Sequence, residues 1–173
     1  MNIDDLKNKI RNVPGFPRKG IIFRDITTLI NDGDALRFVI DQFHIRYRDK
    51  SIFRVVGIES RGFIFGGALA DRLGCGFVIA RKPGKLPAEI IEESYTLEYG
   101  QASLQIHADS IKAGEKVVII DDLLATGGTL EAASKLVDRL GGEIFEIAVV
   151  IELAFLEGRE RLRDRRLFSL ICY

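Results

Sequence analysis

Hydrophobic and polar positions along the chain fall into two recurring patterns, and the patterns alternate. Short, nearly continuous apolar runs occur in "FRVVGIE" from Phe53, "GFVIARK" from Gly76, "EKVVIIDD" from Glu115, "EIFEIAVVIEL" from Glu143 and "LFSLICY" from Leu167. Runs of this kind read as strands buried on both faces. Between them lie helical periods. Leu36, Val39, Ile40, Phe43 and Tyr47 share one helical face, with Asp32 or Asp34 available as the cap, and an N-terminal helix is expected from Ile3 to Arg11. "SRGFIFGGALADRLG" suits a helix packed closely on a sheet and stopped by Gly74, and Thr129, Ala132, Ala133, Leu136, Val137 and Leu140 mark another that stops at Gly141 and Gly142.

Strands separated by helices imply right-handed crossovers, and hence an α/β fold with a mostly parallel sheet covered by helices on both faces. Three stretches depart from this pattern. "VPGFPRKG" from Val13 is a shaped loop, because its prolines and glycines suit neither helix nor central strand. Pro83 to Glu93 is polar and aperiodic and reads as a mobile segment. "YTLEYGQASLQIHA" alternates on both sides of Gly100, as an antiparallel hairpin or flap does. The "EGRERLRDRR" run near the C-terminus mixes signs and is expected to be a solvated, partly helical face.

Length and charge limit the setting. With 173 residues, 47% of them hydrophobic, one domain with one core is expected. Twenty-five basic residues balance 25 acidic ones, so no global field favours nucleic acid or an anionic membrane, and any anion site must be local. The charged N-terminus and the short, Gly-interrupted apolar runs point to a soluble, unexported chain without membrane contact. Cys75 and Cys172 have no metal-ligand spacing and are expected to be reduced core residues.

The candidate chemistry centres on "VVIIDDLLATGGT", residues 117–129. In open α/β sheets, ligands bind beyond the carboxyl ends of strands, and this stretch is such an end. Thr126, Gly127, Gly128 and Thr129 place small residues where a helix starts, so that backbone N–H groups and two hydroxyls can converge on a phosphate. The Gly-Lys-[Ser/Thr] ending of a nucleotide-triphosphate loop is missing. Asp121 and Asp122 would repel a phosphate they touched, so they should accept hydrogen bonds from hydroxyls or hold a hydrated cation. A phosphate beside a diol describes a ribose 5-phosphate. Gly127 and Gly128 alone would be ordinary turn residues; the paired acids beside them are what packing does not explain.

With these residues in view, the chain resembles the type I phosphoribosyltransferases, and in particular their adenine-using members. "GIIFRDIT" from Gly20, "GIESRGFIFG" from Gly57, "ARKPGKLP" from Ala80 and "SYTLEYG" from Ser94 match in order, so the resemblance covers most of residues 14 to 153. It implies transfer of a phosphoribosyl group from phosphoribosyl pyrophosphate to adenine, with Mg²⁺ as cofactor, in a cytoplasmic homodimer. It implies a single domain over residues 1–173, with a base-binding hood at 1–32 and a lid loop and flap at 82–107. By resemblance, Ala125, Thr126, Gly127, Gly128 and Thr129 hold the 5′-phosphate. Asp121 and Asp122 hold the ribose hydroxyls, directly or through hydrated Mg²⁺. Ser60, Arg61 and Gly62 receive pyrophosphate in a turn where members often carry a cis peptide, here between Glu59 and Ser60. Arg81, Lys82 and Lys85 form the cationic lid. Glu98 acts on the purine near N7, supported by Tyr99, while Phe23 stacks on the base and Ile22 and Arg24 pair with its edge. Arg24 could instead brace Asp25 or another loop carboxylate.

Three rival readings follow from the same residues. A sibling enzyme for a 6-oxopurine or orotate is disfavoured by "SYTLEYG". A purine-sensing DNA-binding regulator would need an added helix-turn-helix module and a basic face. A non-catalytic nucleotide-binding module leaves Glu98 and the lid unexplained.

Overall fold

A computed structural model describes residues 1–96 and 100–173 of the chain. Two compact units divide it, Met1–Phe43 and His44–Tyr173. In the first, helix α1 (Ile3–Asn8) is closed by a reciprocal cap in which Asn2 and Asp5 each accept the other's backbone N–H. Strands β1 (Arg11–Pro14) and β2 (Ile22–Asp25) pair antiparallel. That pairing ends α1 before Arg11, three residues short of the expected boundary. A short α2 (Thr27–Ile30) and α3 (Gly33–Tyr47) follow, with the last turn of α3 in the second unit. Asp32 caps α3, its carboxylate accepting from the N–H groups of Asp34 and Ala35.

The second unit holds β3 (Arg54–Ile58), α4 (Gly62–Leu73), β4 (Gly76–Ala80), β5 (Ile90–Thr96), β6 (Gln101–His107), β7 (Lys116–Leu124), α5 (Gly128–Arg139), β8 (Glu143–Glu152) and β9 (Leu167–Cys172). Five of these strands form one parallel sheet in the order β4-β3-β7-β8-β9. Val117, Val118, Ile119 and Ile120 of β7 are fully buried, as the unbroken apolar run requires of a central strand. From β3 the chain crosses through α4 outward to β4, and from β7 through α5 to β8 on the other side. Right-handed crossovers running in opposite directions put α4 and α5 on opposite faces. The order therefore reverses between β3 and β7, and a crevice opens there beyond the strands' carboxyl ends.

The expected hairpin is β5 and β6, paired antiparallel from Ile90↔His107 to Thr96↔Gln101. Strand β5 begins earlier than the aperiodic reading allowed, because Ile91 packs on the core beneath it. Lys135 and Arg139 of α5 lie 3.7 and 3.6 Å from Glu93, and Arg139 donates to the Glu92 carbonyl at 2.6 Å. Near the C-terminus, Ala154–Leu156 and Gly158–Leu162 form 3₁₀ turns. The solvated reading of this run fails at Gly158 and Leu162, which are buried. Cys172 is exposed, not in the core, because β9 is an edge strand; Cys75 is partly buried. Among the described residues, no helix is long and apolar enough to cross a membrane.

Candidate active site

At the crevice, two strand-to-helix junctions face each other. One runs from the end of β3 through Glu59, Ser60 and Arg61 into α4, and its Glu59–Ser60 peptide is cis. The other runs from β7 through Ala125, Thr126 and Gly127 into α5. Strand β7 extends two residues beyond the acid pair, so Asp121 and Asp122 lie within the strand's last turn of pleat instead of at its tip. A cleft of about 460 Å³ lies between the junctions, with Ser60, Arg61, Lys82, Asp121, Asp122 and Thr129 in its wall. Beside it, a hollow of about 70 Å³ is enclosed by residues 123–130 together with Asp121.

Small residues permit this closeness. A methyl group on Gly62 would stand 2.8 Å from Asp121 Oδ1 and 3.0 Å from the Ile120 carbonyl oxygen, so only glycine lets the start of α4 approach β7 this closely. At the other junction Gly127 has φ +84°, the left-handed region that glycine occupies without strain, and no side chain caps α5. Its backbone N–H groups are thus presented to the hollow without a competing side-chain acceptor.

The acids are held under tension. Asp122 is buried, and Arg61 Nε lies 2.5 Å from its Oδ2, yet the approach lacks hydrogen-bond alignment and leaves that oxygen without a donor. Burial, and then the neighbouring charge of Asp122, push the Asp121 carboxyl well above the usual carboxylate range, although its Oδ1 accepts the Asp122 N–H at 2.8 Å. A cation or a set of hydroxyl donors in the cleft would relieve both conditions. Among the described residues, no group of three or more His, Cys, Asp or Glu residues could hold a metal by itself.

The expected lid cations differ from one another. Arg81 is committed to Glu59, with Nε and Nη2 each 3.2 Å from its carboxylate oxygens, and donates from Nη1 to the Lys85 carbonyl at 3.2 Å. Glu59 also accepts the Lys82 N–H at 3.0 Å. The hydrogen bonds from Arg81 foremost hold the Glu59 acid below its usual range, against its partial burial. Lys82 lines the cleft, whereas neither Arg81 nor Lys85 does. Tyr95, Ala102 and Leu104 of the flap complete the wall. Glu98 and Tyr99 lie outside the described residues.

In the first unit, Phe23 packs edge-on against Phe16, ring centroids 5.2 Å apart, and Ile22 is half exposed. Arg24 hydrogen-bonds Asn12 Oδ1. Asp25 is engaged by Thr27 and Arg11, which lower its pKa to about 2. One contributor was missed from sequence. A methyl group on Gly127 would stand 2.6 Å from the carbonyl oxygen of Gly158, and Gly158 itself packs on Ala125, so the second 3₁₀ turn backs the loop that lines the hollow. Its one signal was a lone glycine inside a charged run.

The profile of the phosphoribosyl transferase domain matches residues 29–171. The chain belongs to the phosphoribosyltransferase family. It is 57% identical over 171 residues to the adenine phosphoribosyltransferase of Chloroflexus aurantiacus, with 99% of each chain covered. The crystal structure of adenine phosphoribosyltransferase from Thermoanaerobacter pseudethanolicus superimposes with a TM-score of 0.95 at 46% identity, covering 99% of this chain and 100% of that one. The Saccharomyces cerevisiae enzyme, solved with adenine and an imino-altritol bisphosphate, gives 0.91 at 39% identity, with 97% of each chain covered. The α/β fold with its antiparallel flap is thus the phosphoribosyltransferase fold, and the crevice between β3 and β7 lies at its topological switch point.

Proposed function

We propose that the chain is an adenine phosphoribosyltransferase, which transfers the phosphoribosyl group of phosphoribosyl pyrophosphate to adenine and releases AMP and pyrophosphate. The observation that carries this reading is the junction at residues 121–129. It sets an uncapped helix start beside two crowded acids, across a cleft from Arg61 and Lys82, in a chain 57% identical to a protein of that name. In the reaction, adenine N9 bonds to C1′ of the ribose, the C1′–oxygen bond breaks with its electron pair leaving on pyrophosphate, and N9 loses its proton.

The chain's residues divide this work. Ala125 to Thr129 bind the 5′-phosphate, and Asp121 and Asp122 accept hydrogen bonds from the ribose hydroxyls. Ser60, Arg61, Gly62 and Lys82 take the pyrophosphate. Arg81, held by Glu59, aligns the lid, and Lys85 adds charge to it. Phe23, Ile22 and Arg24 bind the base, while Glu98, with Tyr99, serves its N7 side as bond making shifts charge onto the ring. The flap keeps water from an oxocarbenium-like centre that would otherwise be hydrolysed.

The acid pair fits hydrated Mg²⁺. Its oxygens are crowded and one lacks a donor, and a small cation that retains water needs only one or two protein carboxylates beside substrate oxygens. Bound there, Mg²⁺ would neutralise charge on the departing pyrophosphate. A cytoplasmic homodimer belongs to the same reading. Formation of AMP tests it: incubated with phosphoribosyl pyrophosphate and Mg²⁺, the protein should turn over adenine in preference to hypoxanthine, guanine and orotate. Equal or better turnover of hypoxanthine would refute the base assignment.

A further inference from the structure

We infer that Arg161, in the second 3₁₀ turn, is the side-chain cation that pairs with the substrate's 5′-phosphate and makes the site select a phosphorylated ribose. The inference rests on the functional reading above and adds a residue to it. The cradle at Ala125–Thr129 contains no basic side chain, so backbone N–H groups and hydroxyls alone would face a dianion. Arg161 fills that gap from a distant part of the chain. Its Cβ would lie 3.4 Å from a methyl group on Gly127, and its Nη1 3.8 Å from one on Gly128. The guanidinium therefore lies beside Gly128 at the start of α5, next to the loop that lines the hollow.

Its protein partner leaves it available. The Glu131 carboxylate lies 3.5 Å from Arg161 Nη1, a long approach for an ion pair, and the Arg161 side chain is 46% exposed. A phosphate at the helix start carries more charge than that carboxylate and offers oxygens suited to the guanidinium fork. The turn is firmly placed: Arg159 donates to the buried Glu152 at 2.9 Å from Nε and 2.5 Å from Nη2, and Ser169 Oγ donates to the same carboxylate at 2.6 Å. Gly158 seats the turn against Ala125. Arg161 is thus held at the cradle by Glu152 of β8 and Ser169 of β9 together with the packing of Gly158 on the cradle loop.

Titration calorimetry with AMP, phosphoribosyl pyrophosphate and pyrophosphate tests the assignment in Arg161→Met, which keeps the aliphatic stem, and Arg161→Lys, which keeps the charge. Arg161→Met should weaken the two 5′-phosphorylated ligands by ~10-fold, the scale of one charge-assisted contact near the surface, and leave pyrophosphate affinity unchanged. Arg161→Lys should recover part of the loss, and the melting temperature of both variants should stay near that of the wild type. AMP affinity within two-fold of wild type in Arg161→Met would overturn the inference. So would equal losses in both variants, which would mark a packing role. A wild-type protein that binds neither AMP nor phosphoribosyl pyrophosphate would overturn the functional reading and this inference with it, whereas the preceding outcomes leave that reading standing.

Discussion

Residues 121–129 and residues 59–61 with 81–85 both bring charge to strand ends on the same cleft, but they do so in opposite conditions. On the β7 side the charges are only partly compensated: Arg61 approaches Asp122 without hydrogen-bonding its Oδ2, Asp121 is pushed toward protonation, and the helix start is uncapped. On the β3 side much of the charge is already matched, with Arg81 gripping Glu59 and Glu59 gripping the lid backbone at Lys82. The acids of the first wall are only partly met, by Arg61 from across the cleft, and the second wall supplies its own partner. A ligand is therefore read from the unmet wall, while the matched wall reads as the frame that aims Lys82 and carries the flap.

Breaking the chemistry without touching either wall should have the largest effect. Glu98→Gln should lower single-turnover AMP formation by about 10²- to 10⁴-fold, the range for a positioned acid or base, with phosphoribosyl pyrophosphate affinity nearly unchanged. Turnover within a few-fold of wild type would remove Glu98 from the mechanism. A smaller effect is expected where the unmet wall meets its support. In Gly158→Ala the new methyl group overlaps the Ala125 carbonyl and lies 2.9 Å from Leu124 Cδ1. That overpacking should cost about 1–3 kcal/mol, visible in thermal unfolding, and should weaken phosphoribosyl pyrophosphate binding more than adenine binding. An unaltered melting temperature and affinity would show that the turn yields freely.

The β3 wall should respond most weakly, and in a pH-dependent way. The folded-state pKa of Glu59 is lowered, chiefly by Arg81, so its contribution is present above the ordinary carboxylate range and is lost as pH falls through the folded value. Both partners are partly exposed, which limits the contribution to about 1 kcal/mol. Glu59→Gln should therefore lower the melting temperature at pH 7, and the difference should close as pH falls below the ordinary carboxylate range. A difference that persists unchanged into acid would assign the effect to packing.

How far the sequence disclosed these features depended on whether their causes were local. The strand at Val117–Ile120, the acid pair, the glycines of the cradle and the hairpin around Gly100 each depend on neighbours in sequence, and periodicity or spacing revealed them. Gly158 and Arg161 were hidden because their role comes from the path of β8 and β9, which returns a charged run to the cradle some thirty residues later. The pairing of Arg81 with Glu59 was hidden for the same reason: a cluster of cations shows charge but not which acids the fold will bring to it. Glu146, within an apolar strand, is buried because Arg46 grips it at 2.5 and 2.8 Å and Tyr47 donates to it at 2.7 Å, partners a hundred residues away in the chain. Phe23 and Arg24 were singled out by resemblance, and the pattern of "GIIFRDIT" alone does not separate base stacking from packing against Phe16.

The claim that the unmet wall is the phosphoribosyl anchor is tested most directly by titrating phosphoribosyl pyrophosphate, with Mg²⁺, into the wild type and the Asp121→Asn, Asp122→Asn double variant. Replacing two crowded acids with neutral isosteres should leave the ligand-free protein folded and no less stable in thermal unfolding. Affinity should fall by at least about 10-fold, a loss of about 1.4 kcal/mol or more, because the ribose hydroxyls and any hydrated cation lose their charged acceptors. Wild-type affinity in a folded double variant would contradict the account and move the anchor elsewhere in the cleft.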